Sequence, residues 1–218
     1  KKYYTDDITL VEDFFSADAF KSVETRKANI VTSIAMFYDL EDPIAFARQI
    51  EEVLDVNGVW HFEQSYMPSM LRTNSYDTIC HEHLEFYSLQ VVKRILSEAN
   101  LKVVDVQMNA INGGSFAVTA AKKASPLVEN HAVINWLVDQ EKAMGLSTPK
   151  PYRDFEERVF RHRDDLVSLI RALNADGKTV LGYGASTKGN VMLQFCGFTA
   201  EDIPAIAEVN EDKFGCFC

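Results

Sequence analysis

No apolar run in this 218-residue chain approaches the roughly 20 residues that a membrane-spanning helix needs. No run of five or more lysines and arginines occurs either, and the net charge is −10. A nucleic acid would have to bind against that field, so none is expected as a partner. Cysteine is scarce: Cys80, Cys196, Cys216 and Cys218 fall at no framework spacing. A reducing compartment is the simpler setting for them. The closing CFC is a lone C-x-C without a second pair, so no metal ligand is assigned. The opening KKYYTDDITL is polar and lacks the apolar stretch of a signal peptide. A cytoplasmic protein with no membrane contact is the expectation, and oligomeric state is not legible. No internal repeat or low-complexity segment occurs.

What is present suits a folded chain. Hydrophobic residues make up 47% and charged residues 25%, enough for a sizeable core. Strand and helix signals alternate through the first half. ITLVEDFF reads as a short buried strand ending in an acid, and ANIVTSIAMFYDL opens with the continuous apolar run of a parallel strand. DPIAFARQIEEVLDVNG reads as a helix, with Asp42 as cap, Pro43 in the first turn and Gly58 just past the end. GVWHFEQSY is a third strand and LQVVKRILSEANL a second helix. LKVVDVQMN and GSFAVTAAKK then give two strands with no helix between them. The pattern predicts a mainly parallel sheet with one antiparallel edge.

From Pro126 the chain turns helical, broken at GLSTPKP, and a second strand–turn–helix–strand follows in KTVLGYGAS, TKGNVMLQFCG and IPAIAEVN. The fold class is therefore α/β: an incomplete Rossmann-like sheet, a helical segment, then a second Rossmann-like domain. The expected division is residues 1–125 and 126–218. A doubly wound sheet normally opens with a strand and a Gly-rich turn. Here the chain opens on the helix-like KKYYTDD, already past that point, so it reads as a piece of a longer protein.

Two stretches carry the chemistry. YDTICHEHLEFYSL crowds Asp77, Cys80, His81, Glu82, His83 and Glu85 together. Its histidines are two apart, whereas a helical H-E-x-x-H zinc pair is four apart. Cys80 and His81 are adjacent, so on an extended chain they point to opposite sides and make a poor nucleophile–base dyad. An acid/base pair asks least: one imidazole removes a proton and a neighbouring carboxylate supports it. A polar turn before a helix is the structural alternative. The second stretch, GYGASTKGN, lies between a strand and a helix. It is neither a Walker A loop nor a complete G-x-G-x-x-G, yet its small residues, helix N-terminus and Lys188 suit an anion. Glu208 ends the next strand, where a ribose-binding acid would sit. Asp13 with Phe14 in VEDFF is weak alone, a hairpin turn explains NGGSFAV at least as well as a site does, and His61 reads as structural.

VEDFF, the segment through GVWHFEQSYM, YDTICHEHLEFYSL, NGGSFAV and GYGASTKGNVML together resemble one family. It is the S-adenosylmethionine-dependent sugar C-methyltransferases that act on nucleotide-linked deoxy-keto-sugars. The resemblance covers nearly the whole chain. It implies the second half of a methyltransferase domain followed by most of a Rossmann-like nucleotide-binding domain. The family's zinc-binding domain and its first cofactor loop would lie outside these residues. It implies His83 as the base that removes a proton beside the sugar ketone, with Glu82 assisting it or contacting the sugar. It implies Asp13, Phe14, Ala35 and Met36 at S-adenosyl-L-methionine. It implies Gly184, Ser186, Thr187, Lys188 and Asn190 at the nucleotide diphosphate of the sugar substrate. The family often has tyrosine where this chain has Cys80, and histidine where Asp39 aligns. A phenol donor to the enolate is then lost or supplied from elsewhere, with Tyr76, taken into the expected catalytic set, Tyr66 and Tyr87 as the candidates. A related methyltransferase with another activated substrate, a non-catalytic nucleotide-sugar-binding module and a dinucleotide oxidoreductase are the alternatives.

Overall fold

The structure of the protein, a computed structural model, describes residue 5 and residues 7–217. The helix expected from the opening KKYYTDD and the last cysteine, Cys218, lie largely or wholly outside these. Among the described residues no helix is long and apolar enough to cross a membrane. The chain forms two compact units. One runs through Ser69 and resumes at Leu84–Met144; the other joins Met70–His83 to Gly145–Cys218. The sequence-based division after residue 125 differs from this partition. The HEH stretch belongs with the C-terminal residues, and the helix after residue 130 belongs with the sheet.

In the first unit, helix α1 (Ala17–Val23) precedes strand β1 (Ala28–Ile34), and helix α2 (Pro43–Val53) leads into strand β2 (Leu54–Ser65). Asp42 caps α2 as expected, accepting the Ala45 N–H at 2.9 Å. The expected stop at Gly58 does not hold: α2 ends at Val53 and passes directly into β2, which contains Gly58. β2 then alternates, with Trp60, Phe62 and Gln64 buried and the residues between them half-buried. Helix α3 (Met67–Thr73) and helix α4 (Leu89–Glu98) follow, then strands β3 (Leu101–Asn109) and β4 (Ser115–Lys122) and helix α5 (His131–Ala143).

The sheet order is β1-β2-β4-β3. β1 and β2 are parallel, and β4 is antiparallel to both β2 and β3. Three strands thus run one way and one runs against them. The reversed strand is interior, not at the edge as the sequence suggests, because the hairpin folds β4 back between its two neighbours. An interior strand must be apolar on both faces, and Phe116, Ala117, Val118, Ala120 and Ala121 are all buried. The core stacks Trp60 on Phe62 at 4.3 Å between ring centroids, with Phe37 edge-on to Trp60 at 5.3 Å.

ITLVEDFF forms no strand. Residues 8–15 are irregular and mostly exposed, with the Phe14 ring 93% exposed. A strand exists only through a ladder of hydrogen bonds, and this segment pairs with nothing in the sheet. Its anchor is Phe15, whose ring sits 5.3 Å from Phe46 of α2.

At the far end of β2, Glu141 of α5 is fully buried. Its carboxylate accepts the Tyr66 phenol at 2.8 Å, the Leu89 N–H at 2.5 Å and the Gln90 N–H at 3.0 Å. The last two are amides at the start of α4, where a negative charge complements the helix dipole. Beside them the Met67 N–H donates to the Tyr87 carbonyl at 3.0 Å. The two ends of the segment that carries HEH are therefore held side by side.

The second unit has one long helix, α6 (Lys150–Ala175), then strand β5 (Gly182–Tyr183), helix α7 (Thr187–Cys196) and strand β6 (Ile206–Ala207). The strand–helix–strand order is as expected, but the parallel strands pair over two residues only. Leu181 and Val209, which flank the paired residues, are 60% and 78% exposed.

Replacing Glu141 with Ala strands two helix amides and a phenol in the core. It should cost about 3 kcal/mol or more, and Tyr66→Phe about 1–2 kcal/mol, measured by urea unfolding. Equal, negligible losses in both variants would show that the buried carboxylate does not hold this end of the sheet.

Candidate active site

The HEH stretch is a tightly wound loop. Tyr76–Thr78 form a single 3-10 turn, the Ile79 N–H returns to the Tyr76 carbonyl at 3.0 Å, and the His83 N–H donates to the Cys80 carbonyl at 3.2 Å. His83 folds its ring back onto this turn, with Nδ1 2.8 Å from the Thr78 carbonyl. A carbonyl can only accept, so Nδ1 carries the proton and the ring's lone pair lies on Nε2. The loop geometry thus fixes the tautomer that a base needs. Among the described residues no three His, Cys, Asp or Glu side chains converge as a metal site would require.

Cys80, His81 and Glu82 line a cavity of about 590 Å³. Its other walls are Tyr76 and Ile79 from the same loop, Val159 from α6, and Thr187, Asn190, Val191, Gln194 and Phe195 from α7. All belong to the second unit. The structure therefore brings the two chemistry-bearing stretches onto one cavity. His83 is half-buried directly after this wall and is not itself part of it.

The Gly-rich turn is built for close approach. Gly184 has φ +90°, a left-handed conformation that a side chain disfavours. Ser186 caps α7, its Oγ accepting the Gly189 N–H at 3.2 Å. Thr187 and Lys188 occupy the first turn of the helix. Asn190 lines the HEH cavity and also a second one of about 550 Å³, shared with Ala185, Phe198 and Glu208. Its Oδ1 is buried with no hydrogen-bond partner among the described residues. Glu208, expected at a ribose, is tied to backbone. Its Oε1 accepts the Val209 and Asn210 N–H groups, and its Oε2 accepts the Ala185 N–H at 2.7 Å. These amides, Asn210 foremost, hold its carboxyl below the usual range. What remains for a ribose hydroxyl is the second lone pair of Oε2.

Tyr76 is buried at 5% exposure, and its Oη lies 2.9 Å from His162 Nδ1 of α6. Burial, with Cys196 and Asp77 nearby, pushes the phenol up to about 12. His162 is absent from any reading of the sequence, because it sits inside the charged run RHRDD on the polar side of an amphipathic helix.

The residues expected at the cofactor lie in the first unit. Asp13 Oδ1 accepts its neighbour's Phe14 N–H at 2.7 Å. Ala35, at the end of β1, has φ 52°, costing about 1–2 kcal/mol for a residue with a side chain, and its N–H donates to the Glu63 carbonyl at 2.8 Å. Met36 packs against the core. His61 hydrogen-bonds Thr119 across the sheet at 3.1 Å, and Glu63 accepts from Asn109 at 2.9 Å. Asn112, Gly113 and Gly114 form the β3–β4 turn.

A phenol that ionises later in the folded state than in the unfolded one keeps its proton longer in the native state. Between pH 10 and about 12 the native state then binds more protons, and stability falls as pH rises. Tyr76→Phe lacks this group, so the gap between wild type and variant should move in the variant's favour across that window. Thermal unfolding of both from pH 9 upward measures it, and a constant gap would contradict the buried, protonated phenol.

The model of a C-methyltransferase C-terminal domain matches residues 110–218, and that of a methyltransferase domain matches residues 6–106. C-methyltransferase NovU of Streptomyces niveus is 34% identical over 203 residues, 92% of this chain and 48% of that protein. The chain thus spans about half the length of this curated relative. Among solved structures, LepI complexed with S-adenosylmethionine is 10% identical, with 44% of this chain and 27% of that one covered at a TM-score of 0.38. Magnesium protoporphyrin IX methyltransferase of Synechocystis PCC 6803 is 11% identical, with 44% and 46% covered at a TM-score of 0.35. With the C-terminal-domain model running over half its length, this chain belongs to the C-methyltransferase family.

Proposed function

We propose that the protein containing this chain is an S-adenosylmethionine-dependent C-methyltransferase acting on a nucleotide-activated keto-sugar. The observation that carries this is the shared cavity of about 590 Å³, where the Cys80–Glu82 wall faces Thr187 and Asn190. A carbon acid and its anionic handle need such neighbours: a base beside one wall, here His83 directly after Glu82, and backbone amides at a helix start on the other.

S-adenosyl-L-methionine, when bound, supplies an electrophilic methyl group. The residues of the first unit fit that cofactor chemically. Asp13 offers a carboxylate to an adenine amine, the exposed Phe14 ring offers a face, and Ala35 and Met36 lie at the end of β1. On the substrate, His83 Nε2 takes the proton from the carbon beside the ketone, a role its Nδ1 bond to Thr78 supports. Glu82 is exposed next to it and stabilises the imidazolium that results. Gly184, Ser186, Thr187, Lys188 and Asn190 hold the diphosphate through backbone amides and one cation, and Glu208 takes the ribose.

The full-length protein, mixed with S-adenosylmethionine and nucleotide-linked keto-sugars, should yield a product heavier by one methylene in mass spectrometry. His83→Asn should lower the rate about 100-fold or more, while calorimetry shows cofactor binding retained. Full activity in that variant removes His83 as the base. Binding of the nucleotide sugar without any methyl transfer by the wild type favours a non-catalytic binding module.

A further inference from the structure

Cys80 stands where the resembled family often has a tyrosine, so a phenol facing the reacting atoms is either lost or supplied from elsewhere. The structure separates the three candidates. Tyr66 has its hydroxyl on Glu141. Tyr87 is 2% exposed in the sheet core, its ring 5.4 Å from Phe37. Tyr76 alone of the three lines the cavity with Cys80, His81 and Glu82.

Its ring is held on two sides, by Phe195 at 5.4 Å and His162 at 5.7 Å between centroids. Its hydroxyl reaches one neighbour, His162 Nδ1, at 2.9 Å. That bond has two directions with opposite consequences. If the phenol donates to a bare Nδ1, only lone pairs remain for the cavity. If Nδ1–H donates to the phenol, the phenol's own hydrogen remains for the cavity. A buried phenol that stays protonated serves a developing oxyanion only as a donor.

We propose that His162 is a positioning residue whose Nδ1–H donates to Tyr76 Oη and so turns the phenol's hydrogen toward the oxyanion formed when a ketone substrate enolises. This rests on the keto-substrate reading above. The C–H bond beside the ketone breaks, its proton goes to His83 Nε2, and its electron pair moves into the enolate. Tyr76 keeps its O–H bond and donates a hydrogen bond to the enolate oxygen; His162 keeps its proton throughout.

Three substitutions in the full-length protein test the direction of the bond. His162→Asn puts an amide N–H where Nδ1–H was, and His162→Asp puts an acceptor of the same shape there. Tyr76→Phe should lower kcat about 100-fold with little change in KM, as expected for loss of one oxyanion donor. His162→Asn should stay within about 3-fold of wild type, and His162→Asp should lose about 10-fold or more in kcat, again with KM nearly constant. In a Tyr76→Phe background, His162→Asp should add nothing. Equal losses in the Asn and Asp variants, or a further loss on top of Tyr76→Phe, would indicate a merely structural role and overturn the proposal. A wild type that methylates no keto-sugar defeats the functional reading instead. The hydrogen bond is still decided in that case by long-range proton–nitrogen NMR of His162: a protonated Nδ1 supports the proposal, and a bare Nδ1 facing Tyr76 overturns it.

Discussion

Glu141 is a carboxylate with no exposure to water, and three donors converge on it. A charge so placed is tolerable only because each partner is a strong donor in good geometry. Two of those partners are the first amides of α4 and the third is the phenol at the end of β2. They bracket the segment from residue 66 to residue 89, which contains HEH. One side chain on α5 therefore holds both ends of the segment on which the proposed chemistry depends. The backbone bond from Met67 to Tyr87 repeats the same closure without a charge. Removing the carboxylate would loosen the entry and the exit of that segment together.

The HEH loop follows the same logic at smaller scale. Its turns close through local backbone bonds, from the Ile79 N–H to the Tyr76 carbonyl and from the His83 N–H to the Cys80 carbonyl, while the Leu84 and Glu85 N–H groups just beyond donate to the Tyr38 carbonyl. They leave the Thr78 carbonyl as an acceptor for the His83 ring. The tautomer of the proposed base is thereby a consequence of a turn. On the opposite wall of the cavity, Ser186 and Glu208 hold the Gly-rich turn by side chain to amide bonds. Lys213 Nζ donates to the Ala185 carbonyl from the far side. Both walls are thus fixed by the chain's own hydrogen bonds before any ligand is considered.

How much of this is legible in the sequence depends on how local its causes are. The Asp42 cap of α2, the β2 alternation around Trp60 and Phe62, and the β3–β4 hairpin follow from near-neighbour physics and are readable. ITLVEDFF looks like a strand by composition, but a strand needs a partner that no local pattern specifies. The short pairing of β5 with β6 is invisible for the same reason: KTVLGYGAS and IPAIAEVN read as full strands. The interior position of β4 is a matter of sheet order, which the hairpin alone does not determine. In the candidate site, the HEH and GASTKGN stretches announce themselves by density of titratable or small residues. His162 does not, because its partner Tyr76 is 86 positions away and its neighbours are ordinary surface charges. The meeting of the two stretches on one cavity is equally a product of the fold.

The second unit is assembled from two separate runs of sequence, Met70–His83 and Gly145–Cys218. Relatives in such a family invite chimeras, made by exchanging C-terminal halves at a single junction. A junction near residue 125 or residue 144 would carry α6, α7 and the Gly-rich turn across, but leave Tyr76, Cys80, His81 and Glu82 behind. The hybrid cavity would then join the loop of one parent to the helix of the other. Moving the cavity intact takes two grafts, and the shorter of them is the stretch from Met70 to His83.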